Sequence, residues 1–246
     1  MKKHIPNFIT MLNLFSGSLG IIAALQFNRL DCAAYMMAIA AGFDFFDGMA
    51  ARILRVKSVI GKELDSLADV VSFGVLPGVI VYMLMLGSSN LPSTGTKVEL
   101  LPFLALIIPV FSALRLAKFN LDERQTSSFI GLPTPANALL LGALPFINME
   151  AGHSHLISLF TGLTTNFYVL AILTIVMSAL LVSEIPLFSL KFSNLKFSNN
   201  RPQYILVIFG IVSFALFSFA SIPIIVMFYI VLSFFFRPKS PESESG

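Results

Sequence analysis

The segment "DFFDGMAARILRVKSVIGKELDSLAD" (residues 44–69) places four aspartates, Asp44, Asp47, Asp65 and Asp69, between two strongly apolar stretches. Ionisable side chains are costly at membrane depth and usually mark a functional site there. The spacing predicts that Asp44 and Asp47 share one helical face and that Asp65 and Asp69 share another. Because a short basic turn joins the two helices, we expect them to be antiparallel neighbours whose aspartate pairs converge.

The composition around this segment is that of an integral membrane protein. Of the 246 residues, 56% are hydrophobic and only 12% are charged, whereas a soluble domain of this length would carry more charge. The net charge of +3 could suggest a nucleic-acid partner. The basic residues flank apolar segments, however, which favours anionic lipid headgroups. We therefore expect a membrane-lipid surface and no nucleic acid.

The apolar runs predict an all-α fold, a polytopic bundle of about eight transmembrane helices, because each crossing needs roughly 20 mostly apolar residues. The predicted spans are approximately 7–27, 32–53, 65–87, 100–119, 133–150, 166–184, 203–219 and 221–236. Six or seven spans are the alternative, since only a very short turn separates the last two. We interpret residues 1–236 as a single transmembrane domain and residues 237–246 as a disordered cytoplasmic tail.

The distribution of basic residues predicts the orientation of these spans. With both termini in the cytoplasm, 14 of the 16 basic residues lie inside, and only Arg29 and Lys97 lie outside. The inner residues are Lys2, Lys3, Arg52, Arg55, Lys57, Lys62, Arg115, Lys118, Arg124, Lys191, Lys196, Arg201, Arg237 and Lys239. Such a bias is typical of cytoplasmic loops. The aspartate segment is therefore predicted to face the cytoplasm, in a multi-pass protein of the cell membrane.

Four carboxylates in one poorly hydrated pocket would repel one another strongly, and divalent cations are the natural compensation. Mg²⁺ and Mn²⁺ favour carboxylate oxygens. Four carboxylates suffice for two such ions about 3.5–4 Å apart, an arrangement that supports in-line phosphoryl displacement. The alternative is a secondary transporter, in which intramembrane aspartates bind coupling cations near the midplane. Here the aspartates cluster at one membrane face, which favours an enzyme that displaces a phosphoryl group over a transporter.

The complete pattern is D-x-x-D-G-x-x-A-R-x8-G-x3-D-x3-D. Its fixed positions are Asp44, Asp47, Gly48, Ala51, Arg52, Gly61, Asp65 and Asp69. It resembles, with no departure, the signature of the CDP-alcohol phosphatidyltransferase family. The resemblance implies that the first three aspartates bind divalent metal. It also implies that Asp69 contacts metal and is the base that activates the acceptor hydroxyl, and that the protein is a homodimer.

The resemblance further implies contacts with a CDP-linked lipid donor, CDP-diacylglycerol. The residues it assigns to these contacts are Asn7, Thr10, Gly48, Ala51, Arg52, Ser58 and Gly61. Five of these residues have an alternative interpretation that the sequence leaves open. The glycines could serve close helix packing, Arg52 could anchor its helix at the interface, and Asn7 and Thr10 could bond to nearby backbone.

Two further stretches resemble the branch of the family that uses serine: "SLADVVSFGVLPG" (66–78) and "RLAKFN…FIGLPTPANA" (115–138). The likeness is strong over a catalytic core at about 5–140, and the extra helices at about 166–236 match only in hydropathy. It implies phospholipid biosynthesis, in which the phosphatidyl group passes from CDP-diacylglycerol to L-serine and gives phosphatidylserine and CMP. Glycerol-3-phosphate or inositol is the alternative acceptor.

Serine is a zwitterion, so its carboxylate needs a cationic partner and its ammonium group needs an acceptor. Arg115, Lys118 and Arg124 are candidates for the carboxylate, and Asn120 or Asp122 for the ammonium group. Arg115 is predicted to lie inside a span, where a lone arginine requires an anion. The alternative for Arg115 is that its side chain snorkels to the headgroups.

Overall fold

The computed structural model describes residues 4–56, 58–93, 95, 99–121, 129–152, 155–158, 160–188 and 200–236. Within these ranges the chain is helical apart from one pair of two-residue strands. The expectation of a helical membrane protein is confirmed at this level. The described residues do not include Arg124, Asp122, the basic residue Lys97 or the tail at 237–246.

The first half of the chain forms the part of the bundle that carries the aspartates. Its helices are α1 (His4–Phe27), α2 (Leu30–Ile53), α3 (Val59–Asp69), α4 (Leu76–Leu86) and α5 (Ile107–Leu121). A π-helical segment (Val70–Val75) joins α3 to α4, and a 3₁₀ turn (Leu101–Leu106) leads into α5.

The second half of the chain contributes the remaining helices of the described residues. They are α6 (Thr134–Gly142), α7 (Leu144–Glu150), α8 (His155–Ser158), α9 (Gly162–Thr165), α10 (Phe167–Val182), α11 (Arg201–Phe217) and α12 (Ser221–Phe235). The strands β1 (Phe129–Ile130) and β2 (Pro186–Leu187) pair antiparallel, with Phe129 opposite Leu187.

Four runs among the described residues are long and apolar enough to cross a membrane. They are His4–Phe27, Val59–Leu86, Leu101–Leu121 and Arg201–Phe235. The last run bends into a hairpin after α11, where Phe209 stacks on Phe228 with ring centroids 4.0 Å apart. α2 occupies the predicted second span but carries charged residues, and α10 is shorter, with 16 residues. Crossing by all eight predicted segments therefore stays a prediction.

Helix α1 is built with its polar and small residues facing the protein. The buried residues are Pro6, Thr10, Asn13, Ser16, Gly17, Gly20 and Ala24. Large apolar side chains such as Phe8, Phe15 and Ile22 are exposed on the opposite face. In a membrane this inverted pattern is favourable, since lipid solvates the apolar face while small residues allow close helix contact.

Small residues also bring α1 and α5 close to the π-helical segment. A Cβ on Gly17 would overlap Ser72, whose hydroxyl donates to the backbone carbonyl of Asn13 at 3.1 Å. On the other side, a Cβ on Gly74 would lie 3.1 Å from the Cβ of Ser112 on α5. The segment after Asp69 is therefore held tightly between α1 and α5.

A glycine with positive φ joins the loop before α6 to the end of α10. Gly131 has φ +76°, and a Cβ there would lie 2.8 Å from the carbonyl oxygens of Leu181 and Ser183. The neighbouring amide of Leu132 donates to the carbonyl of Leu180 at 2.9 Å. These contacts determine where α6 begins, and with it the position of Thr134.

The predicted orientation can be tested by cysteine accessibility. In a Cys32→Ser background, Ser93→Cys should react with a membrane-impermeant maleimide in intact cells, whereas Arg55→Cys should react only after permeabilisation. Both positions are exposed, so burial does not limit labelling. The reverse pattern would place the aspartates outside the cytoplasm and contradict the assigned topology.

Candidate functional site

The four aspartates of the opening segment converge at one end of the bundle, where α1 begins and α2 ends. One carboxylate oxygen from each of Asp44, Asp47 and Asp65 lies within 4.8 Å of the other two. Asp69 lies close enough to these three for their charges to interact with its own. We call these four residues the aspartate cluster. The predicted convergence of the two pairs is confirmed.

Helix α1 holds the aspartate cluster together, because it packs against both α2 and α3. The hydroxyl of Thr10 donates to Asp47 Oδ2 at 2.6 Å. The carboxamide of Asn13 donates to Asp69 Oδ1 over a longer distance, 3.4 Å. Asn13 is absent from the predicted site residues. The only sequence feature that indicates a hydrogen bond to an aspartate is that Asn13 is polar and lies near the membrane depth of Thr10.

The aspartate cluster is half to fully buried, and none of its carboxylates forms an ion pair with a described residue. Asp47 and Asp69 are 6% and 8% exposed, and Asp65 Oδ1 is buried without a hydrogen-bond partner. Arg29 and Asp31 form an ion pair at the opposite end of α2. Carboxylates that converge without an ion-pair partner match the oxygen ligands that Mg²⁺ and Mn²⁺ prefer. The residues present therefore fit a divalent-metal site.

A cavity of about 640 Å³ opens beside the aspartate cluster, between α1, α2 and α3. Its volume lies in the range of small-molecule sites. Asp47 and Asp65 line it, so the cavity and the cluster are continuous. Six predicted donor contacts also line it: Asn7, Thr10, Gly48, Ala51, Ser58 and Gly61. The structure thus brings these six residues together around one space.

The two glycines at the cavity have different reasons to be small. A Cβ on Gly48 would meet only the guanidinium of Arg52, at 3.9 Å, so it would point into open space. A Cβ on Gly61 would lie 2.9 Å from Asn7 Oδ1, which supports helix packing as its reason. Ser58 caps α3 by accepting from the amide of Gly61.

Arg52, the seventh predicted donor contact, does not line the cavity. Its side chain is exposed, and its Nε donates to the carbonyl of Gly48 at 2.9 Å. The guanidinium therefore lies along its own helix near the cavity mouth. Lys62 and Glu63 also line the cavity, although neither belongs to the predicted site.

Arg115 is buried inside the protein rather than extended to the headgroup region. It is 7% exposed, and its Nη1 donates to the hydroxyl of Thr134 at 3.3 Å. The guanidinium carbon lies 5.3 Å from the centroid of the Phe119 ring. Its charge lies close enough to Asp69 to interact with it. This position favours a binding role over snorkelling.

The other predicted acceptor contacts are not gathered around Arg115. Lys118 lies one turn after Arg115 on α5, but its side chain is exposed. Asn120 lies near the helix end, where its Nδ2 donates to Ser66 Oγ at 2.8 Å and its carbonyl accepts from Lys62. Arg124 lies outside the described residues.

Three curated proteins similar to this chain share the name CDP-diacylglycerol–serine O-phosphatidyltransferase. The protein from Bacillus subtilis (strain 168) is 38% identical over 144 residues, which cover 58% of this chain and 76% of that protein. The protein from Mycobacterium leprae is 35% identical over 190 residues, covering 74% of this chain and 57% of the relative. The protein from Saccharomyces cerevisiae is 36% identical over 155 residues, covering 56% of this chain and 52% of the relative.

The alignments thus span little more than half the length of the mycobacterial and yeast relatives. A family model described as CDP-alcohol phosphatidyltransferase matches residues 3–234. That range contains the aspartate cluster, the cavity and Arg115. The chain therefore belongs to the CDP-alcohol phosphatidyltransferase family.

Proposed function

We propose that this protein transfers the phosphatidyl group of CDP-diacylglycerol to L-serine, giving phosphatidylserine and CMP in a divalent-metal-dependent reaction. Family membership makes the chain a phosphatidyltransferase and decides against the transporter alternative. One observation supports this proposal most strongly: the aspartate cluster lies next to both the cavity and the buried Arg115. Asp47 and Asp65 belong to the cluster and also line the cavity. The names of the relatives support serine as the acceptor.

The cavity suits the nucleotide end of a lipid donor. Gly48 leaves open space for a large ligand, and Asn7 and Ser58 offer polar groups for a base or sugar. Val59 lines the cavity yet is 84% exposed, so the mouth borders the surface on which lipid chains would lie. Arg52 near that mouth could pair with the diphosphate.

The aspartate cluster is proposed to hold two divalent cations, Mg²⁺ or Mn²⁺, through Asp44, Asp47, Asp65 and Asp69. When bound, the ions would neutralise the diphosphate and stabilise the leaving group. Thr10 contributes by orienting Asp47 through its 2.6 Å hydrogen bond. Asn13 orients Asp69 in the same way over a longer distance.

Asp69 is proposed to act as the base. It would take the proton from the serine hydroxyl as that oxygen bonds to the phosphorus bearing diacylglycerol. The bond between this phosphorus and the bridging oxygen breaks, and that oxygen leaves with CMP. The proton then passes from Asp69 to water, so the base is regenerated.

Arg115 is proposed to bind the carboxylate of serine. The guanidinium is always charged and presents a planar fork that matches a carboxylate. Its burial lowers competition from water, and its nearness to Asp69 lets one short molecule reach both residues. Serine bound in this way would present its hydroxyl to the base.

We also propose the setting of the reaction. The distribution of basic residues supports an active site on the cytoplasmic side of the cell membrane. A homodimer is supported by the family resemblance alone.

Product identification is the direct test of the proposed function. Purified protein in detergent micelles, supplied with CDP-diacylglycerol, Mn²⁺ and radiolabelled L-serine, should give a labelled lipid that co-migrates with phosphatidylserine. CMP should appear in equal amount. If labelled glycerol-3-phosphate or inositol enters lipid while serine does not, the acceptor is wrong and the reaction class stands.

Removal of a cluster carboxylate should abolish both metal binding and activity. Asp44→Asn and Asp65→Asn should each lose nearly all turnover, because each removes an oxygen ligand from the converging set. Mn²⁺ should raise the melting temperature of the wild type but not of these variants. Asp31→Asn is the matched control, since Asp31 lies on α2 at the opposite end and pairs with Arg29.

This control should keep wild-type turnover and the Mn²⁺-dependent stabilisation. Full wild-type activity in the presence of a strong chelator, with no added metal, would contradict the metal-dependent mechanism.

Substitution of Arg115 should affect serine selectively. Arg115→Lys keeps the charge but loses the planar fork, so the KM for serine should rise about 10- to 150-fold, equivalent to about 1.5–3 kcal/mol for a charge-assisted hydrogen bond. The KM for CDP-diacylglycerol should change little. Lys118→Ala, which removes an exposed cation from the same helix, is the control. A rise confined to the KM for CDP-diacylglycerol would instead assign Arg115 to the diphosphate.

A further inference from the structure

A second group of polar side chains lies beyond Asp69, between α5 and α6. Ser112 and Arg115 are one turn apart on α5, and Thr134 and Asn137 are one turn apart on α6. Ser112, Thr134 and Asn137 are fully buried, and Arg115 is 7% exposed. The hydrogen bond from Arg115 to Thr134 joins the two helices. We call these four residues the inner polar cluster.

Most of the hydrogen-bonding capacity of the inner polar cluster is unused. Both ends of the Asn137 carboxamide, Nδ2 and Oδ1, lack a partner, as do Arg115 Nε and Ser112 Oγ. A buried polar group left unpaired costs about 1–3 kcal/mol, and more where it is charged. Several unpaired polar groups at one place therefore indicate a site where a polar ligand supplies the missing hydrogen bonds.

The unpaired carboxamide of Asn137 indicates a ligand site more strongly than an unpaired buried hydroxyl would. Thr174 and Ser178 on α10 also lack a partner, but a hydroxyl in a helix can turn to its own backbone carbonyl. A carboxamide has an acceptor at one end and two N–H groups at the other, so it needs partners in two directions.

The inner polar cluster adjoins the reacting groups. Arg115 interacts with the charge of Asp69, and Ser112 packs against Gly74 in the π-helical segment that follows Asp69. α6 packs against the same segment. A small molecule whose hydroxyl lies at Asp69 and whose carboxylate lies at Arg115 would thus leave its third group near α6.

Three other polar residues near Arg115 or at the end of α5 already form hydrogen bonds within the protein. Asn120 is bonded to Ser66 and Lys62 at the helix end. The Tyr229 hydroxyl, near Arg115, donates to the carbonyl of Phe188 at 3.1 Å. Thr134 Oγ1 accepts from Arg115. Among the described residues, Asn137 is the buried asparagine whose carboxamide lacks a partner at both ends, whereas Asn13 lacks one only at Oδ1.

We propose that Asn137 is a specificity-determining residue whose Oδ1 accepts a hydrogen bond from the ammonium group of an amino-acid acceptor, while Arg115 binds its carboxylate. This proposal rests on the proposed function. It makes the site selective for a zwitterion: an alcohol without the ammonium group leaves Asn137 unpaired, and one without the carboxylate leaves Arg115 unpaired.

The test compares Asn137→Leu, which keeps the side-chain size but removes both polar ends, with the wild type. The KM for L-serine should rise about 10-fold or more, and the KM for CDP-diacylglycerol should stay within about twofold. Two inhibitors, each of which carries only one of the two charged groups of serine, test the two contacts one at a time. Inhibition by ethanolamine, which lacks the carboxylate, should weaken in Asn137→Leu, whereas inhibition by 3-hydroxypropionate, which lacks the amino group, should persist. Arg115→Lys should show the opposite pattern.

Thr174→Val is the matched control, because it removes a buried and unpaired hydroxyl from α10 while keeping the shape. It should leave both KM values unchanged. If Asn137→Leu does not fold, Asn137→Ala removes the carboxamide without adding apolar bulk and carries the same readouts.

An unchanged KM for serine in a folded Asn137 variant, with or without a lower melting temperature, would assign Asn137 a purely structural role and overturn the proposal alone. Equal weakening of both inhibitors would also overturn it, since the carboxamide would then not distinguish the ammonium group. Failure of the wild type to make phosphatidylserine would overturn the proposed acceptor and this proposal together.

Discussion

The mutual repulsion of four carboxylates in an apolar bundle is the constraint on which the rest of the structure depends. Contact among the four carboxylates does not by itself stabilise the packing of their helices, because like charges repel one another in a poorly hydrated space. The four residues are Asp44, Asp47, Asp65 and Asp69. Two features offset this cost. The polar face of α1 supplies hydrogen-bond donors from Thr10 and Asn13, and the converging oxygens offer a divalent cation its preferred ligands. The unusual inward polarity of α1 follows from this requirement.

Close packing around the π-helical segment extends the site from the metal ligands to the acceptor. Gly17 admits Ser72 on one side and Gly74 admits Ser112 on the other, so α1 and α5 both approach the π-helical segment just beyond Asp69. Without that approach, the guanidinium of Arg115 would lie too far from Asp69 to share a small substrate with it. π-helical segments inside longer helices are frequent at functional sites, and this one follows directly after the proposed base.

The sequence predicts the parts of the site that repeat at helical spacing. Asp44 with Asp47, and Asp65 with Asp69, must share faces in any helix, so their convergence follows once the helices pack. The partner of a single polar residue has no such periodic signal. Asn13 and Asn137 are visible as polar residues at membrane depth, but only the packing of α1 and α6 shows what lies opposite them. Arg52 shares the face of Gly48, yet its long side chain bonds back to its own helix. The π-helical segment arises from tertiary contacts, which a hydropathy pattern does not contain.

The positions of the cavity and the inner polar cluster suit the geometry of the proposed reaction. The cavity lies between α1, α2 and α3, whereas the inner polar cluster lies on α5 and α6, and the segment that follows Asp69 contacts α1, α5 and α6. A donor in the cavity and an acceptor in the inner polar cluster would therefore approach the aspartate cluster from different sides. In-line displacement requires this separation, because the attacking and leaving oxygens occupy opposite sides of the phosphorus. The same separation lets the donor reach the site from the lipid surface at Val59 while the polar acceptor is bound by buried groups that an acyl chain could not satisfy.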